Sequence, residues 1–349
     1  MRLGLIEGYY GTPWSEAARE AVVSYLRPHG YRFHIYAPKA DDYLRKRWRE
    51  SYAADSEAML RRLAAHCQAQ GVRFGVGLSP YEVYRAFDSE AQARLGERLA
   101  LFDDVGVEIL AILFDDMRGD VPKLAATQAT ILHWVAARTK ARELIMCPSY
   151  YTDDPVLERV FGKRPENYLK ELGAALDPAI NVFWTGEEVC SREYSVGHLD
   201  RVAGELRRRP FLWDNYPVND GARMSQYLHL RAFAGRPAAI GDHLAAHAVN
   251  PALQPTLSLI PLLTLVDSYA RGDEYAYGKA FARAAEEILG AELAALVRED
   301  IILLQDTGLD RLGKRVERLR ARYAGFDHPG AKEIVAWLDG FYRVSESSE

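Results

Sequence analysis

The chain has 349 residues, 48% of them hydrophobic and 27% charged, and a formal net charge of −5. That length supports a large core with room for an appendage, and the composition is that of an ordinary soluble globular protein. The mild acidity speaks against a nucleic-acid surface, and three scattered cysteines, Cys67, Cys147 and Cys190, against a disulfide framework or a zinc knuckle.

The start, Met1-Arg2-Leu3-Gly4-Leu5-Ile6-Glu7, leads directly into a strand and leaves no room for a signal peptide. The longest apolar stretch, Leu257–Val266, is short for a membrane span and is interrupted by Pro261. A cytoplasmic protein without membrane contact is the expectation. Short apolar strands then alternate with amphipathic helical patterns through roughly the first 250 residues, as in parallel β/α folds. The pattern predicts strands at Leu3–Tyr9, Arg32–Ala37, Arg73–Leu78, Ile109–Asp115, Glu143–Cys147, Ile180–Thr185, Pro210–Asn215 and Ala245–Asn250. Leu60, Leu63, Ala64 and Cys67 line one helical face, and Leu199, Val202, Ala203 and Leu206 another, with Arg207, Arg208 and Arg209 decking a helix end. Eight strands in this alternation, with no Gly-x-Gly-x-x-Gly after the first, predict a (β/α)8 TIM barrel rather than an open doubly wound sheet.

After about Asn250 the pattern turns helical. Leu309, Leu312, Val316, Leu319 and Tyr323 form one apolar series, and Ile334, Trp337, Leu338 and Phe341 another. The chain therefore divides into a (β/α)8 barrel, 1–268, expected to hold any catalytic site, and a C-terminal helical appendage, 269–349. Nothing in the appendage looks catalytic, and its Trp337 and Phe341 pack either on the barrel or on a second copy.

One strand stands out. Ile109–Phe114 is an unbroken apolar run, typical of a strand buried on both faces, and it enters two adjacent acids, Asp115 and Asp116. The same letters, Leu-Phe-Asp-Asp, recur at Leu101–Asp104, but there Leu95, Leu99 and Phe102 follow helical spacing. Asp103 and Asp104 thus read as the solvated end of a helix, and the strand context carries the signal. Barrel enzymes draw their sites from the C-terminal ends of strands. Those ends here hold Gly8, Tyr9 and Tyr10; Tyr36 and Lys39; Tyr150 and Tyr151; Trp184 and Thr185; Trp213, Asp214 and Asn215; and Asn250. Aromatic faces with Asp, Asn and Lys suit a small polyhydroxylated ligand. Taken singly, each has a plainer role: turn glycines, a surface lysine, packing tryptophans, turn residues at Asp214 and Asp220.

Taken together the chain resembles glycoside hydrolase family 84, the β-N-acetylglucosaminidases that include protein O-GlcNAcases and bacterial hyaluronidase-like enzymes. The resemblance runs from Leu3 to about Leu265. It rests on Glu7-Gly8-Tyr9-Tyr10-Gly11-Thr12-Pro13-Trp14, Tyr36-Ala37-Pro38-Lys39, Arg45-x-x-Trp48-Arg49-Glu50 and Leu113-Phe114-Asp115-Asp116. Cys147-Pro148, Phe183-Trp184-Thr185-Gly186, Trp213-Asp214-Asn215-Tyr216-Pro217-Val218-Asn219-Asp220 and Asn250-Pro251 follow in order. The resemblance implies retaining, substrate-assisted hydrolysis of terminal β-linked N-acetylglucosamine through an oxazoline, without a cofactor. It implies that Asp115 orients the acetamido N–H and that Asp116 is the general acid and base. It further implies that Gly8, Lys39, Asp220 and Asn250 hold sugar hydroxyls. Tyr151, Trp213 and Asn215 line the acetamido pocket and the scissile region, with Thr185 as a neighbour.

The chemistry is consistent with two neighbouring acids. Ordinary glycosidases need carboxylates about 5 Å apart, or roughly 6.5–9.5 Å in the inverting case. Neighbouring strand residues point to opposite sides and straddle a bond badly; substrate assistance removes that demand. Close carboxylates also resist joint ionisation, which divides the pair into an acid and an anion. Departures from the family pattern are Ala40, Tyr150 and Glu187-Glu188; they bear on the groove beyond the terminal sugar. The expected partner is a glycan or glycoprotein bearing terminal N-acetylglucosamine. Two other readings differ in class: a glycan-binding barrel with little turnover, and a metal-dependent hydrolase. Against the latter, the nine histidines form no strand-end ligand pair, and His243 and His247, at helical spacing, read as structural.

Overall fold

The eight apolar runs become eight short parallel strands: β1 (Leu3–Ile6), β2 (Tyr31–Tyr36), β3 (Arg73–Leu78), β4 (Ile109–Leu113), β5 (Glu143–Cys147), β6 (Asn181–Trp184), β7 (Phe211–Asp214) and β8 (Ala246–Val249). They hydrogen-bond in sequence order into a closed barrel, joined at the seam by the His247 amide donating to the Arg2 carbonyl at 3.0 Å. This computed structural model describes residues Met1–Ser345. The α-helices, in chain order, are α1 (Glu16–Leu26), α2 (Ala54–Ala69), α3 (Ser89–Val105), α4 (Leu124–Ala136), α5 (Val156–Phe161), α6 (Tyr168–Ala175), α7 (Val196–Leu206), α8 (Gly221–Met224) and α9 (Pro255–Arg271). The helical C-terminal region adds α10 (Tyr277–Leu289), α11 (Ala291–Ile301), α12 (Leu309–Leu312), α13 (Arg315–Tyr323) and α14 (Pro329–Leu338), with a π-helical stretch at Ile302–Thr307. The fold is thus the (β/α)8 barrel that the alternation predicts.

Two compact units divide the chain. The first comprises Met1–Gly8, Tyr31–Asp214 and Ala239–Ala248; the second comprises Tyr9–Gly30, Asn215–Ala238 and the chain from Val249 onward.

In the first unit, alternation decides which side chains fill the barrel. Phe33 on β2 and Phe211 on β7 are not neighbours in the strand order, yet their rings lie 5.5 Å apart, so these positions point inward. Small residues give the interior room: a Cβ on Gly4 would sit 2.3 Å from the Phe33 ring, and one on Gly77 2.6 Å from Ala37. At the N-terminal mouth Arg2 reaches across to Glu143, with nitrogen–oxygen distances of 2.9 and 2.6 Å. Arg73 and Asn181 donate to the same carboxylate at 2.7 and 2.9 Å. One acid thus ties four strands together at the base.

Helix ends follow the polar signals. Ser15, Asp88 and Ser195 cap α1, α3 and α7 through the amides of Ala18, Ala91 and His198. The Leu101–Asp104 acids do lie at the end of α3, where Asp104 pairs with Arg61 at 2.5 Å. Arg207 ends α7 in the left-handed region. Arg208 goes further than decking its own helix: it donates to the carbonyls of Asp177 and Ile180 at 2.7 Å, and to Gly173 and Leu176 at the end of α6.

In the second unit the helical region bonds to the segment after β7. Gln305, in the π-helical stretch, accepts from the amides of Leu230 and Arg231 at 2.8 and 2.9 Å. Trp337 on α14 donates to the Ser225 carbonyl at 3.1 Å. The Glu333 carboxylate accepts from Thr256 and Leu257 at 2.8 and 2.9 Å, satisfying open amides at the start of α9.

Five expectations change. Predicted strand ends are trimmed, so Asp115 lies two residues past β4. His243 closes a short 3-10 turn, Ala238–His243, while His247 is on β8, so the two share no helix. Pro261 does not interrupt the apolar stretch; α9 runs through it. Gly313 splits the Leu309–Tyr323 series between α12 and α13, and Phe341 is 60% exposed while Ile334, Trp337 and Leu338 are buried. No helix among the described residues is long and apolar enough to cross a membrane.

Candidate active site

The inward register on β2 and β4 carries Lys39 and Asp115 to the C-terminal end of the barrel, where both are buried. The Lys39 ammonium bonds to Asp115 Oδ2 and lies 3.7 Å from Asp116 Oδ2. Both carboxylates therefore face one cation, although alternation would have sent them apart. The reason is the backbone: Asp116 has φ 54°, in the left-handed region, so the chain turns between the two acids. The Arg45 guanidinium donates to the Asp116 carbonyl at 3.1 Å.

The two acids end in different surroundings. Asp115 Oδ1 is buried with no hydrogen-bond partner, an acceptor for which a ligand donor is the natural complement. Asp116 is less enclosed, its side chain 20% exposed, and its Oδ1 accepts from the Tyr151 hydroxyl at 3.2 Å. Burial, then the charges of Asp116 and Asp115, push the Tyr151 phenol well above its ordinary range, which keeps it a donor. Gly8 lies against the Trp213 ring, where a Cβ would come within 2.1 Å of Cζ2; Trp213 packs edge-on to Phe183 at 5.1 Å. Glycine at position 8 is what lets the indole approach the main chain.

Asn215, Asp220 and Asn250 belong to the second unit. There Asn250 Nδ2 donates to Asn215 Oδ1 at 2.9 Å, and Asp220 Oδ2 accepts from the Tyr10 amide at 2.8 Å. Several strand-end residues take the plainer role. Trp184 donates to His198 Nε2 on α7 at 2.9 Å, and the Thr185 hydroxyl donates to the Glu188 carbonyl at 3.1 Å. Asp214 is no turn residue: it is buried on β7 and pairs with His247 at 3.0 Å. Tyr150 packs its ring against Gly119 and donates to the Gly162 carbonyl at 2.6 Å, so this departure braces neighbouring loops. Among the described residues no group of three His, Cys, Asp or Glu side chains is disposed to hold a metal ion. Arg45 carries no role in the sequence reading. Its signal was its place in Arg45-x-x-Trp48, six residues after Lys39, masked by the basic run around it.

A family model described as beta-N-acetylglucosaminidase matches residues 3–300. The protein O-GlcNAcases of Mus musculus and Rattus norvegicus are each 26% identical over 275 residues, which covers 76% of this chain and 30% of theirs. The chain thus corresponds to only part of those relatives. A solved structure of a Thermobaculum terrenum O-GlcNAc hydrolase mutant is similar with a TM-score of 0.79 and 28% identity, over 97% of this chain and 80% of that one. With the family match spanning both the barrel and the first helices beyond it, the chain belongs to the beta-N-acetylglucosaminidase family, glycoside hydrolase family 84.

Proposed function

We propose that the chain is a retaining exo-β-N-acetylglucosaminidase that removes terminal β-linked N-acetylglucosamine from a glycan or glycoprotein. The observation that carries this is the pair of acids on Lys39, one with an unpartnered buried oxygen. In the first step the substrate's acetamido oxygen attacks the anomeric carbon, and the glycosidic bond breaks as Asp116 gives its proton to the departing oxygen. Asp115 Oδ1 accepts the acetamido N–H, which gains positive character as the oxazoline forms. In the second step water attacks the anomeric carbon, Asp116 takes its proton, and the oxazoline opens. Two inversions give retention. Lys39 brings positive charge to both carboxyls, and this reading gives Asp115 the part of the anion and Asp116 that of the acid. The Tyr151 hydroxyl donates to Asp116 Oδ1 and so helps to orient this carboxyl.

In the same reading Gly8, Lys39, Asp220 and Asn250 hold the sugar hydroxyls, and Tyr151, Trp213 and Asn215 surround the acetamido group. Residues 1–268 form the catalytic barrel and 269–349 a helical region bracing the segment after β7. A soluble, cytoplasmic setting goes with it, on the strength of composition and charge alone.

The test is release of a chromogenic phenol from its β-N-acetylglucosaminide over about pH 4 to 8. Asp116→Asn should cut turnover by about 100-fold or more, and fluorinating the acetamide should slow the wild type. Folded protein with no turnover, or indifference to fluorination, would count against the proposal.

A further inference from the structure

We propose that Arg45 is a positioning residue for the acid: by holding the Asp116 main chain in its left-handed turn, it sets the direction from which that carboxyl delivers its proton. This rests on the acid role proposed above for Asp116. A non-glycine residue at φ 54° sits in a sparsely populated region, and a group that bonds its main chain helps to fix it there. Arg45 bonds its main chain, donating from Nη2 to the Asp116 carbonyl at 3.1 Å while its side chain is buried.

The guanidinium is itself held firmly. The Tyr81 ring lies 5.4 Å from its carbon, in cation–π range. The short turn Asp42–Leu44 that ends at Arg45 is capped by Asp41, whose carboxylate accepts from the Tyr43 amide at 3.1 Å. Asp41 also accepts from the hydroxyls of Tyr36 and Tyr52, at 3.0 and 2.9 Å. The Leu44 carbonyl accepts from the Ser79 amide at 2.7 Å, tying the turn to the end of β3. One loop thus reaches both acids by different routes. Lys39 bonds the Asp115 side chain, and Arg45 bonds the Asp116 backbone. The first governs charge, and the second governs aim.

A residue that aims the acid matters in proportion to how much the leaving group needs a proton. The experiment compares Arg45→Met and Arg45→Lys with wild type on two substrates. One is phenyl β-N-acetylglucosaminide, which must be protonated as it leaves; the other is the dinitrophenyl glycoside, which departs as a stable anion. Arg45→Met should lose about 10-fold or more in kcat on the phenyl substrate and less than about 3-fold on the dinitrophenyl one, with KM little changed. Arg45→Lys, which keeps a donor, should recover part of the loss. Equal losses on both substrates, or no loss on either, would overturn the proposal. Should Arg45→Met not fold, Arg45→Lys carries the same comparison. Asp116→Asn is measured alongside. If it shows no split between substrates, the acid assignment fails; if it splits and the Arg45 variants do not, only the positioning role fails.

Discussion

Replacing Glu333 by Gln should remove a pH dependence of stability that the wild type carries. The Glu333 carboxyl is 8% exposed on α14 and accepts two amides at the start of α9. Burial raises its pKa from 4.5 to about 7, against the pull of the Thr256 and Leu257 donors. A raised value means that the folded state prefers the protonated form. The stabilisation is therefore complete below about pH 4.5 and is lost as pH climbs through about 7. At about 1.36 kcal/mol for each pH unit between those values, the loss amounts to about 3 kcal/mol by pH 8. Gln keeps an acceptor and cannot ionise, so its stability relative to wild type should rise by up to that amount. Urea unfolding of both proteins from about pH 4 to 8 reads the difference directly. Two curves that stay parallel across the range would show that Glu333 is not a buried proton carrier.

Two further substitutions probe the barrel. Gly8→Ala places a methyl 2.1 Å from the Trp213 ring, so the indole must shift; about 1–3 kcal/mol of stability should be lost. KM for the aryl glycoside should rise with a change in tryptophan emission, and an unaltered KM would remove Trp213 from the pocket. Glu143→Ala leaves Arg2 and Arg73 facing each other without their shared acid. Because both arginines are partly exposed, a loss of about 2 kcal/mol is expected, with kcat unchanged at this distant mouth. Unfolding curves and turnover measured on the same preparation check both halves.

The barrel was legible because parallel strands covered on both faces read as plain apolar runs, with Ile109–Phe114 the clearest case. The candidate site was legible because such barrels present chemistry at strand ends, and Lys39, Asp115, Asp116, Tyr151 and Trp213 all lie at that end of the barrel. What escaped has physical reasons. A left-handed aspartate leaves no mark on a sequence, so the convergence of Asp115 and Asp116 on Lys39 contradicted simple alternation. Arg45 stands among Lys46, Arg47 and Arg49 and looks solvated, though it alone of that run turns toward the acids. Glu333 beside Lys332 looks equally exposed, until α14 packs and its carboxylate meets the amides of α9. Phe341 shows the opposite error, since periodicity assigns it to an apolar face from which the chain after Leu338 departs.

The arginine–glutamate crossing at the base of the barrel also sets its two ends apart. Arg2, Arg73 and Asn181 gather there on Glu143, and the rings of Phe33, Phe183 and Phe211 meet edge to face within the barrel. Nothing among the described residues at that end resembles the pairing of Lys39 with the two acids. The two mouths of one barrel thus carry different duties, fastening at the base and chemistry at the strand ends.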